Sequence, residues 1–270
     1  MKKLLFAVCA FALAVPQLNA QTQQLRIEIT NNAPDGGVAI TPLWLGFHDG
    51  GFDVFESGSA VSSGLELLAE EGATSGLSGE FAAAFPSGQD TTIASPTAPP
   101  PIQAGETVSA IFGIDTENSF LSYASMILPS SDYFIANDNP TEIDLSSIFG
   151  NVGDSISFNI GTQNVYDAGT EINDFGTTPA NGLFPDLGLP AGGAGIGADE
   201  NGVATLVTGD PFAGFLNSPN GADFSQLDFN NTSLYGNGIA TITITAVPEP
   251  TSLGVIALGL GGLFLRSRRS

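Results

Sequence analysis

The chain has 270 residues, 28 of them acidic and only six basic, for a formal net charge of −22 at pH 7. So negative a surface repels the phosphates of nucleic acid and the headgroups of anionic lipid, and it suits the holding of divalent cations. A single cysteine, Cys9, leaves the remainder without disulfides or thiol chemistry, and the length fits one domain.

Residues 1–20 read as a secretory signal peptide. Lys2 and Lys3 precede an apolar run from Leu4 to Val15, followed by Pro16 and the small-residue end Leu18-Asn19-Ala20. A cationic head, a short apolar run and a small residue at the cut form the pattern of export. The run falls short of the roughly 20 apolar residues that span a bilayer. The alternative is a buried N-terminal helix, for which the rest of the chain offers little helical packing. Between Gln21 and Val247 the only base is Arg26, against 27 acids (all but Glu249), so this stretch carries about −26.

Leu25 to Thr30 alternates apolar and polar residues, the period of a half-buried strand, and Asn31 to Gly37 follows as a turn. Ser63 to Gly72 places Leu65, Leu68 and Ala69 at helical spacing with Gly72 as the stop, and Thr74 to Phe85 is a second helix candidate. Thr91 to Gly105, with four prolines, reads as a loop. Strands are predicted over Thr107 to Ile114, with Val108, Ala110, Phe112 and Ile114 on one side, over Ile156 to Ile160, and over Ile239 to Val247. Gly176 to Gly202 is dense in Gly, Pro and Asn and reads as a long surface excursion, with Asp199 within it. Many short strands between turn signals predict an all-β fold, an antiparallel β-sandwich or barrel over residues 21–247 with one or two short helices.

The chain ends in Val247-Pro248-Glu249-Pro250, an apolar run from Leu253 to Leu265 and the basic tip Arg266, Arg268 and Arg269. The tip would stay on the cytoplasmic side of a membrane crossed by the apolar run. Residues 248–270 resemble the PEP-CTERM sorting signal of exopolysaccharide-making bacteria. The resemblance implies processing by an exosortase and release to the cell envelope or extracellular surface of a Gram-negative-type bacterium. The membrane is then engaged only transiently, through the C-terminal transmembrane helix. A plain membrane anchor is the alternative.

Little in the sequence offers catalysis. His48 is the only histidine, so a Ser/His/Asp triad would have to use it, and its setting in Leu45 to Gly50 reads as structural. There is no His or Cys cluster for zinc, and no Gly-rich loop ahead of a Lys; Gly192 to Gly197 reads as loop. Paired carboxylates among the acids would suit a glycosidase, but one Trp and four Tyr are few for a sugar-stacking cleft. Three acids stand in a more telling context. Asp132 follows Pro129-Ser130-Ser131, while Asp167 and Glu171 bracket the tight turn Asp-Ala-Gly-Thr-Glu. Such a turn can aim two carboxylates at one point, where a third acid completes an oxygen site for a hard cation such as calcium. The plainer reading is a solvated acidic surface.

The same residues carry a family resemblance. Ala60 to Leu65 with Leu68-Ala69-Glu70-Glu71-Gly72, His48 after Thr41-Pro42-Leu43, Leu121 to Phe134, and Asp167 to Glu171 occur in the order of the motifs of spondin domains. The resemblance implies an antiparallel β-sandwich with short helices, as in extracellular matrix proteins and bacterial secreted proteins. It also implies one calcium ion, held by Asp132, Asp167 and Glu171. Ser131, Tyr133 and Glu171 stand where the family has Pro, Trp and Asp, and the extra methylene of Glu171 moves its oxygens by more than about 1 Å. The expected function is a calcium-binding adhesion or matrix module, non-catalytic, partnered by extracellular polysaccharide or surface proteins. An extracellular polysaccharide hydrolase and an inert matrix protein are its rivals.

Overall fold

The computed structural model describes residues 22–97, 101–173, 197–212 and 225–249. The expected signal peptide, the C-terminal sorting helix and most of the Gly176 to Gly202 excursion lie outside these residues. Among the described residues no helix is long and apolar enough to cross a membrane.

Two antiparallel sheets carry the fold. The smaller has the order β5-β1-β11-β8, from β1 (Thr22–Asn31), β5 (Thr107–Asp115), β8 (Ser155–Ile160) and β11 (Ala240–Val247). The larger is built on β3 (Leu43–His48), β4 (Gln89–Ile93), β6 (Phe120–Leu128), β7 (Tyr133–Ala136), β9 (Val165–Asp167) and β10 (Thr205–Leu206). Its order is β10-β9-β7-β6-β3-β4, with the short β2 (Ala39–Ile40) beside β6.

Alternation explains the smaller sheet. Leu25, Ile27 and Ile29 of β1 sit opposite Ala246, Ile244 and Ile242 of β11, all buried, while Arg26, Glu28 and the threonines between them face outward. This inner face packs on Leu43, Leu45, Phe47, Ile127 and Ile135 of the larger sheet. The other face of the larger sheet is covered by α1 (Ser63–Glu71) and α2 (Ser75–Ala84), with Trp44, Ala124, Phe134 and Ala136 against Leu65, Leu68, Leu77 and Phe81. A sheet covered on both sides has no solvent face, so β3, β6 and β7 are buried almost throughout and show no alternation.

The helices form where their ends are capped. Ser62 Oγ accepts from Leu65 N (3.2 Å), and Gly72 closes α1 at φ 66°, in the left-handed region that glycine adopts freely. The two helices cross with their backbones touching: a Cβ on Gly64 would lie 2.7 Å from the carbonyl carbon of Gly76. Glu80 of α2 reaches back to accept from Gly64 N (2.7 Å) and from Ser62 Oγ (2.5 Å).

One expectation is corrected. Thr91 to Ile93 belong to β4, paired with Leu45 to Leu43, because Ile93 fills the inter-sheet core. The end of the expected excursion lies beside the Asp167 to Glu171 turn: Asp199 forms an isolated β-bridge with Glu171, and Ile172 N donates to Ala198 O.

Candidate cation site

The β6–β7 turn and the β9 turn meet at one end of the larger sheet. Ser130 Oγ donates to Ile127 O (2.5 Å) and accepts from Tyr133 N (3.1 Å), which fixes the first turn. Asp132 follows, fully buried. Pairing of β7 with β9 sets Tyr133 opposite Asp167, so the second turn, Asp167 to Glu171, folds over Asp132. Asp167 Oδ1 accepts from Gly169 N (2.8 Å), and Gly169 takes φ 67° with the Gly202 and Val203 backbone pressed against it. A side chain at Gly169 would collide there, which accounts for the glycine.

Asp132 stitches the two turns together. Its Oδ2 accepts from Thr170 N (2.9 Å), Glu171 N (3.0 Å) and Thr170 Oγ1 (3.4 Å). Its Oδ1 is buried and meets no hydrogen-bond donor among the described residues; Ser131 Oγ and Asn173 Oδ1 are in the same state. Asn173 belongs to the cluster through its Nδ2, which donates to Asp167 Oδ2 (2.6 Å). Nothing in the sequence had marked Asn173; its place two residues beyond the acidic turn was the available signal.

Electrostatics set these acids apart. Burial pushes the pKa of Asp132 up to about 6, the charge of Asp167 adding to the rise and the N–H groups of Glu171 and Thr170 opposing it. Burial, then the charges of Glu70, Asp132 and Glu71, raise Glu171 to about 7. Glu70 of α1 is raised as well, chiefly by burial. The three expected acids are therefore neighbours. Asp132 and Asp167 stand side by side, while the Glu171 carboxylate is turned to the backbone of Gly197. Among the described residues no group of three His, Cys, Asp or Glu side chains is arranged to hold a metal ion.

His48 takes a different role from that of a triad base. It is fully buried, its Nδ1 accepts from Gly50 N (3.0 Å), and its Nε2 lies 2.9 Å from Ser122 Oγ. A nitrogen that accepts from a backbone N–H carries no proton, so in the neutral ring Nε2 holds it and donates to Ser122. Burial lowers the pKa of the ring below its ordinary value, the charge of Asp49 opposing it.

The Spondin_N family model matches residues 34–181, more than half of the chain and the stretch that holds all three acids. The PEP-CTERM protein-sorting motif matches residues 246–269. No curated protein matches the chain.

Proposed function

This chain belongs to the Spondin_N family, and on that premise we propose that it is a non-catalytic, calcium-binding adhesion or matrix module. One ion is held at the turns that carry Asp132, Asp167 and Glu171. The sorting motif makes the chain an exported protein of the cell envelope or surface of a Gram-negative-type bacterium, and a substrate for exosortase processing.

The observation that carries the reading is Oδ1 of Asp132, a buried carboxylate oxygen without a donor among the described residues. Leaving a buried charged group unpaired costs several kcal/mol unless a counter-charge meets it. The only base between Gln21 and Val247, Arg26, faces outward on β1 of the opposite sheet. A bound cation supplies the missing charge. The available donors are all oxygens: the carboxylates of Asp132 and Asp167, that of Glu171, which would have to leave the Gly197 backbone to join them, and the amide oxygen of Asn173. That set suits calcium, which takes six to eight oxygens at about 2.3–2.6 Å, and it leaves positions for water or for a carboxylate from a partner. An open position of that kind is how the site would serve adhesion.

Thermal melts of exported protein, with calcium and with chelator, test the reading. Calcium at about 100 times its dissociation constant stabilises a one-site protein by roughly 2.7 kcal/mol. Asp167→Asn removes most of that gain. Glu28→Gln, on the outer face of β1, leaves it intact. Asp199 is unsuited as a control because it bridges Glu171. A wild-type melt that calcium does not shift overturns the proposal.

A further inference from the structure

The smaller sheet ends on β8, which pairs with β11 on one side and with no described strand on the other. Ile160 O accepts from Ile239 N, and Asp154 O accepts from Ala246 N. Even-numbered residues of β8 therefore turn their backbone groups to β11, and antiparallel alternation directs those of Ser155, Ser157 and Asn159 to the open side. Two other sheet ends are guarded. On β5, Gln89 Oε1 accepts from Asp115 N (2.5 Å) and Gln89 Nε2 donates to Gly113 O (3.4 Å), while β10 is only two residues long. The six residues of β8, Ser-Ile-Ser-Phe-Asn-Ile, hold no charge and no proline, the usual devices against strand addition.

A cleft of about 350 Å³ opens beside this edge. Tyr123, Ile156 and Phe158 give it an apolar floor, and the exposed acids Glu142 and Asp144 line its mouth. Tyr123 and Phe158 lie with their ring centroids 6.1 Å apart.

We propose that β8 is the docking edge for an extended basic peptide segment of a surface partner, which adds a strand to the smaller sheet. The strand hydrogen-bonds to Ser155, Ser157 and Asn159, and a lysine or arginine lays its stem over Ile156 and Phe158 and its charge between Glu142 and Asp144. Charge selects this occupant. A second copy of the chain brings the same net negative charge up to Glu142 and Asp144, and an acidic peptide would meet the same repulsion. The edge lies on the sheet opposite the cation cluster, so the proposal stands apart from calcium binding.

The test titrates exported protein with a seven-residue peptide of alternating lysine and valine, and with its glutamate–valine counterpart, followed by amide exchange. The lysine peptide binds and slows exchange at Ser155, Ser157 and Asn159. The glutamate peptide binds about tenfold more weakly or worse, the effect of reversing a close charge pair. Ser157→Pro removes an N–H that β11 does not use and weakens the lysine peptide about tenfold, the worth of one or two hydrogen bonds. The double variant Glu142→Gln, Asp144→Asn leaves β8 itself unchanged and lowers lysine-peptide affinity several-fold. Any of four outcomes overturns the proposal: no binding of the lysine peptide, protection at other amides, undiminished binding by folded Ser157→Pro or by the double variant, or pairing of the chain with itself through these amides.

Discussion

Asp132→Asn keeps the shape of the side chain and removes its charge, which makes it a direct probe of the buried carboxylate. In the unfolded chain this aspartate ionises near 3.8, and in the fold burial raises it to about 6. A raised carboxylate pKa means that the folded state holds the proton more tightly. The stabilisation is complete below about pH 4 and is lost as pH rises through about 6. The rise from 3.8 to about 6 corresponds to roughly 3 kcal/mol, or about 6–12 °C in melting temperature for a domain of this size. Asparagine does not titrate. In chelator, the stability of the variant relative to wild type therefore rises by about 3 kcal/mol between about pH 4 and pH 7.5. Any constant penalty for the unpartnered amide cancels from that difference. Denaturant unfolding of both proteins at three pH values measures it, and calcium at the upper pH restores the wild type alone. A difference that stays flat with pH would show Asp132 to be an ordinary solvated carboxylate and would refute the reasoning.

Other outcomes follow from the fold. Gly64→Ala places a Cβ 2.6 Å from the Glu80 carboxylate and 2.7 Å from Gly76, and should lower stability by about 1–3 kcal/mol despite the better helix propensity of alanine; an unchanged melting temperature would mean that the helices part freely. Ser62→Ala removes the N-cap of α1 and the Glu80 contact, at about 1 kcal/mol, read by denaturant unfolding. Mass spectrometry of protein collected outside the cell should find no peptide from residues 1–20 or 253–270; an intact tail in that fraction would favour a plain anchor.

The strands that were legible in the sequence are those with one wet face. β1, β5, β8 and β11 alternate because one side meets solvent and the other the core. β3 has six consecutive buried residues, since helices cover the side that would otherwise be polar, and its sequence carries no period to find. The helix Ser63–Glu71 was legible through its spacing and its terminal glycine. At the site, the acidic turn and the acid after Pro129 were visible as motifs, whereas the meeting of the two turns depends on the β7–β9 register. That register brings in Asn173 and, through its bridge to Glu171, Asp199, neither of which sequence spacing associates with Asp132. The open edge of β8 was equally hidden, because sheet order rests on the pairing of residues as far apart as Ser155 and Thr245.

Calorimetric titration of exported protein with calcium near neutral pH tests the central claim most directly. The account predicts saturable heat with a stoichiometry of one ion per chain, abolished by Asp132→Asn, strongly weakened by Asp167→Asn and unchanged by Glu28→Gln. Absence of a saturable site, or weak binding of several ions that none of these substitutions alters, would contradict it.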